Sequence, residues 1–129
     1  MKVLVDTHVL LWSLIEPDRL SAEATELLLD SSVERFFSAA SCWEIGIKFA
    51  KGKLDLPSLP SDCVPIAMRE ADLNHLPIRM VETFLISEMR HGHGDPFDRL
   101  LAAQAKHNNM YLMSHDSIFA SFDVDWIEI

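Results

Sequence analysis

Short apolar runs of strand type, each passing into helical spacing within a few residues, constrain this chain more than any other feature. Val3, Leu4 and Val5 end at Asp6, and Val9, Leu10, Leu11, Trp12 and Leu14 then follow a short helical pattern that stops near Pro17. A run that is apolar at every position suits a strand buried on both faces of a sheet. Ser21 stands where an N-cap belongs, ahead of an amphipathic segment reaching Leu29. Residues 35–38 read as a second strand, and Trp43, Ile45, Ile47 and Phe49 lie on a helix that fades at Gly52. Residues 56–65 carry Pro57, Pro60 and Pro65 and read as a connection, with the next helix starting near Ser61. Helical spacing covers residues 66–71 and 81–89, with a very short strand or an extended turn expected at 76–78. The run HGHGD breaks the chain, and Pro96 opens a helix to about His107. Residues 111–113 form a strand, 117–121 a short helix and 126–129 a last strand. Alternation of this kind implies an α/β fold whose central, mostly parallel sheet is flanked by helices on both faces.

The 129 residues and 49% apolar composition predict one domain over residues 1–129. No apolar run approaches the ~20 residues of a membrane span. The start MKVLVDTH reaches an acid too early for a secretory segment, so a cytoplasmic location is expected. Cys42 and Cys63 have no zinc-finger or CxxC spacing and read as packing thiols. The net charge of -9 argues against a broad basic face for nucleic acid. Carboxylates gathered around a divalent ion would be neutralised locally, so nucleic acid could still approach through phosphates.

Asp6, Glu44, Asp98 and Asp116 are far apart in sequence, but three follow or adjoin strand-like runs and one opens a helix. In a parallel sheet, ligands gather outside the carboxyl ends of the strands, where acids from several strands converge. Each acid also has an ordinary reading at a helix N-terminus. Ser41-x-x-Glu44 fits a capping box, and Asp95 and Asp116 suit N-caps. Asp6 directly follows a buried run, where an uncompensated carboxylate is costly. Two carboxylates ~5 Å apart at an effective dielectric near 20 repel by roughly 3 kcal/mol, so a cluster must take up protons or cations. Oxygen donors favour Mg²⁺ or Mn²⁺, and phosphodiester hydrolysis by metal-activated water suits such a centre.

His8 and His115 adjoin these acids and are candidates for orienting them or for a mixed site suited to Zn²⁺ or Mn²⁺. His93, between glycines, reads as a solvated loop side chain. Lys48, Lys51, Lys53 and Arg99 are the candidate phosphate contacts, although Lys48, four residues after Glu44, also suits an exposed helical ion pair. Trp12 and Trp43 are expected in the core.

The segments LVDTHVLLW, SAASCWEIGIKFAKGKL, HGHGDPFDRLLAAQA and YLMSHDSIF resemble, in order and separation, the motifs of PIN-domain ribonucleases, most closely the VapC-type toxins of bacterial toxin–antitoxin pairs. The resemblance spans nearly the whole chain. It implies a PIN-like three-layer sandwich and maps Asp6, Glu44, Asp98 and Asp116 onto an acidic quartet that holds Mg²⁺ or Mn²⁺ for endonucleolytic RNA cleavage. Asp95 resembles a motif acid outside the quartet. A homodimer and a cognate antitoxin whose tail covers the acidic pocket are implied as partners. Ser114 stands where threonine is common, and residues 56–94 match no motif.

Two other readings remain. A non-catalytic module could present the acidic pocket to a basic partner. A phosphohydrolase with an Asp6 nucleophile would expect a second aspartate two residues on, where His8 stands. No GxGxxG turn follows the first strand, which argues against a dinucleotide site.

Overall fold

The computed structural model describes residues 1–89 and 94–129. Five strands, β1 (Lys2–Val5), β2 (Glu34–Ser38), β3 (Leu73–Leu76), β4 (Tyr111–Ser114) and β5 (Trp126–Glu128), form one sheet in the order β3-β2-β1-β4-β5. Every neighbouring pair is parallel, with Val5 opposite Met113 and Leu4 opposite Phe36. The chain adds strands on one side of β1 and then crosses to the other. A topological switch point therefore lies between the carboxyl ends of β1 and β4, where α/β folds open a crevice.

Strand alternation divides the core between the two faces. Val3 and Val5 join Phe37 and Met113 under α1 (Thr7–Ile15), α3 (Ala39–Ala50) and α4 (Pro60–Glu70), with Leu27 and Leu28 of α2 (Ala22–Leu29) packed at its margin. Leu4 and Leu112 pack on the other face against Leu101, Ala102 and Ala105 of α6 (Pro96–His107) and Ile86 of α5 (Met80–Glu88). The result is the three-layer α/β sandwich expected. Single 3₁₀ turns at Pro17–Arg19 and Ser117–Ser121 complete the chain. Ser21, Asp95 and Asp116 cap their helices as expected.

Four local expectations change. Pro65 lies inside α4 rather than in a connection, and Pro60 opens that helix at its first turn. Burial of Cys63, Val64 and Ala67 outweighs the hydrogen bond that Pro65 removes. Strand β3 starts at Leu73, not Leu76, and its polar Asn74 and His75 are tolerated because β3 is an edge. The α3 N-cap is Ser38, which accepts from the Ala40 N–H; Ser41 is buried one turn inside. Trp43 is 61% exposed and meets Phe97 edge to face at 5.2 Å, because the buried stripe of α3 runs through Ala40, Ser41, Glu44 and Ile45. Cys63 is buried and Cys42 half-buried, and both are free thiols. His91 and His93, read from sequence as part of a loop, lie outside the described residues.

Two buried polar networks tie helices to one another and to the sheet. Glu82 accepts from the Arg79 N–H and the Asn108 amide, each at 2.7 Å, and from Gln104 at 3.5 Å. The Ser38 hydroxyl donates to Gln104, so the N-terminus of α3 is tied to α6. Arg35, 4% exposed, donates to the carbonyls of Leu27, Asp30, Val33 and Ala71 and so closes the ends of α2 and α4. Its contact with Asp72 adds little, because Asp72 is 89% exposed. Arg35→Met leaves those carbonyls without their donor and is expected to cost about 2 to 4 kcal/mol in urea unfolding. An unchanged midpoint would show that water replaces the guanidinium.

Candidate metal centre

Asp6 leaves β1 at the switch point and is 3% exposed. It caps α1, accepting from the Thr7 N–H through Oδ1 at 2.7 Å, while its Oδ2 accepts from the Ser114 hydroxyl at 2.7 Å. Across the crevice, Ser114 ends β4, and its Oγ accepts from the Asp116 N–H at 3.0 Å. Asp116 then caps the following 3₁₀ turn through the Ile118 N–H. One hydroxyl therefore orients both acids, which gives Ser114, in sequence only a departure from the family motif, a positioning role. A side chain able to donate and accept at once, placed between two strand-end acids, was the available sequence signal.

Glu44 enters from the buried stripe of α3, and Lys48 pairs with it at 2.8 Å. The i,i+4 pair expected from sequence is present, but its carboxylate end is buried rather than exposed. Burial works against the Lys48 ammonium, yet the hydrogen bond to Glu44 and the charges of Glu44, Asp95 and Asp98 prevail and raise its pKa. Lys48 thus brings positive charge into the acidic cluster. Arg99 instead donates to the Ile86 carbonyl at 2.8 Å.

Asp98, on the first turn of α6, joins these groups electrostatically. Burial first, then the charges of Asp6, Asp95, Asp116 and Glu44, push its carboxyl from 3.8 up to about 7. All four sequence-predicted acids therefore act within one field, with Asp95 as a fifth contributor. His8, on α1, lies 3.8 Å from Asp6 Oδ2, an ion-pair contact rather than a hydrogen bond. Asp6 raises its pKa against the opposing effect of burial. His115 follows β4 and packs against Trp12 at 4.5 Å, with the Arg19 guanidinium over the indole face. Trp12 is thus half-buried against His8 and His115 rather than in the core.

The donor set fits a hard divalent cation. Carboxylates from β1, α3, α6 and the β4 end act on one another electrostatically, and burial together with their charges raises the Asp98 carboxyl to about 7, a penalty that a cation would relieve. Two cavities, of about 620 and 450 Å³, lie elsewhere and include none of the four acids. The chemistry of the side chains, not cavity size, singles out the crevice.

Ser114→Ala frees both acids from their shared hydroxyl and is expected to weaken Mn²⁺ binding about tenfold, with Ser114→Thr retaining it. Calorimetric titration checks this, and equal affinities for serine and alanine would remove Ser114 from the site.

The parallel sheet, its switch point and the acids lining it define an α/β fold of the kind that binds ligands at strand ends. The chain belongs to the PIN domain family, whose sequence pattern matches residues 3–125. A chain in the structure of VapBC2 from Rickettsia felis, bound to a DNA fragment from their promoter, superposes with a TM-score of 0.77 at 15% identity, covering 100% of this chain and 99% of that one. VapBC-1 from nontypeable Haemophilus influenzae gives 0.66 at 16% identity over 99% and 98%. FitAcB from Neisseria gonorrhoeae gives 0.63 at 20% identity over 98% and 96%. At these identities the likeness establishes a shared fold. No curated protein matches the chain. Among the described residues, no helix is long and apolar enough to cross a membrane.

Proposed function

We propose that the chain is a metal-dependent endoribonuclease, the toxin of a type II toxin–antitoxin module, acting as one PIN domain in the cytoplasm. The observation that carries this reading is the electrostatic coupling of Asp6, Glu44, Asp98 and Asp116: burial first, and then the charges of these acids and Asp95, raise the Asp98 carboxyl to about 7. These four residues are the proposed ligands of Mg²⁺ or Mn²⁺. Membership of the PIN family supports nuclease chemistry, and the VapBC and FitAcB structures support an antitoxin partner.

Bound metal would supply the positive charge that activates water and stabilises the oxygens of a phosphodiester during displacement. The chain's own groups prepare that step. Ser114 and the Thr7 N–H hold Asp6 in one orientation, and the Ile118 N–H holds Asp116. Lys48 balances Glu44 and would be freed to meet a phosphate oxygen once a cation took over that balance. An antitoxin would silence the centre by placing a basic side chain, such as arginine, among the same acids. The exposed apolar residues Met80, Val81 and Phe84 on α5 offer a face for a second copy in a homodimer.

Incubation of the purified chain with structured RNA and Mg²⁺ or Mn²⁺ tests the reading. Internal cleavage that stops on chelation is expected. Absence of cleavage by the wild-type chain, or full cleavage in chelator, would overturn it.

A further inference from the structure

Beside the carboxylate cluster, the β1 and β4 ends present a second set of donors with different chemistry. One ligand atom from each of Asp6, His8 and His115 can be chosen so that all lie within 4.8 Å of one another. His8 stands on the first turn of α1, two residues after the β1 acid, and His115 directly follows β4. Parallel pairing of Val5 with Met113 brings these two chain segments together. The imidazoles meet edge to face at 5.2 Å with an interplanar angle of 79°.

The groups around this triad are prepared for a ligand in four respects. The Asp6 carboxylate is 3% exposed and fixed by Ser114 and the Thr7 N–H, so it is already oriented. Trp12 supports the His115 ring at 4.5 Å and is itself covered by Arg19 at 4.4 Å. Among the described residues, His115 makes ring contacts and no hydrogen bond or ion pair, so its nitrogens are not committed elsewhere. His115 is exposed and His8 half-buried, which leaves a path from solvent.

We infer that His8, His115 and Asp6 form a transition-metal site that takes Zn²⁺, separate in preference from the all-oxygen centre and coupled to it through Asp6. Two imidazoles and one carboxylate suit Zn²⁺ and give Mg²⁺ too few oxygens. Three protein ligands leave a fourth position for water. Ligand contact requires the donors to close from their present spacing. Resting on the nuclease reading, the consequence is regulatory. An ion held by Asp6 Oδ2 withdraws that oxygen from the Mg²⁺ or Mn²⁺ centre, so Zn²⁺ inhibits cleavage.

Titration of the full chain with Zn²⁺ alone, followed by calorimetry, tests the site without recourse to activity. One Zn²⁺ per chain is expected, with affinity reduced at least about tenfold in both His8→Ala and His115→Ala. Asp98→Asn is expected to lose Mn²⁺ binding while keeping Zn²⁺ binding. Thermal melting of each variant confirms that it is folded. Equal Zn²⁺ affinity in wild type and His115→Ala, or loss of Zn²⁺ binding with Asp98→Asn, would overturn the inference. Where RNA is cleaved with Mn²⁺, added Zn²⁺ should inhibit the wild type more than His115→Ala; equal inhibition would reject the coupling. Failure of all RNA cleavage would sink the nuclease reading and leave the Zn²⁺ result to decide this site.

Discussion

Asp6→Asn is expected to reduce Mn²⁺-supported RNA cleavage by at least about 10²-fold, since loss of groups that merely orient metal ligands already costs about 10- to 100-fold. The substitution keeps shape and removes charge. Asparagine caps helices about as well as aspartate, so its Oδ1 can go on accepting from the Thr7 N–H and α1 keeps its start. Ser114 can turn its hydroxyl to accept from the new amide while Asp116 remains in place. Stability should therefore change by no more than about 1 kcal/mol. Asp6→Ala differs, because it removes the cap as well and should cost a further 0.5 to 2 kcal/mol or so. Comparing the two variants by cleavage rate and urea unfolding separates the two roles of Asp6. Cleavage near the wild-type rate in Asp6→Asn would place the chemistry elsewhere.

The dual role of the acids also explains what could be read from sequence. The buried run Val3 to Val5, the helix from Pro96 and the strand at Tyr111 carry strong local patterns, and their order alone implied a parallel sheet. Strand-end logic and the family motifs pointed to Asp6, Glu44, Asp98 and Asp116 as one group, and the structure couples them electrostatically. Glu44 was the acid with the best structural alternative, and the structure removes part of that alternative: Ser38 caps α3, leaving Glu44 in the buried stripe with only Lys48 as its ion-pair partner among the described residues. Tertiary packing decided the rest. Pro65 survives in α4 because its neighbours are buried, the polar edge strand β3 has no apolar signature, and Trp43 faces outward although its helix reads as apolar. Ser114 stood out in sequence only as a departure from the family motif, since its importance comes from a partner 108 positions away.

Asp98→Asn should have opposite effects on metal binding and on the stability of the metal-free fold. In the folded chain, burial and then the surrounding carboxylates hold the Asp98 carboxyl at about 7, against an ordinary 3.8. Between these values the folded chain retains a proton that the unfolded chain has released. Stability contributed by this group therefore falls as pH rises through that window and stays low above it. In chelator at pH 8, asparagine removes the penalty, and the melting temperature should rise by roughly 3 to 5 °C, the shift associated with about 1 kcal/mol in a domain of this size. Mn²⁺ relieves the same repulsion in the wild type by binding only the folded state, so it should raise wild-type melting but leave Asp98→Asn nearly unchanged. Wild-type affinity for Mn²⁺ should also climb by up to about tenfold per pH unit below 7, where binding must displace the Asp98 proton, and level off above. Calorimetric melts at pH 5.5 and 8, with chelator and with Mn²⁺, measure both halves. A variant less stable than the wild type in chelator at pH 8 would mean that Asp98 is held by a favourable contact rather than penalised by burial and repulsion. A metal-induced shift that survives the substitution would mean that the cation binds without it.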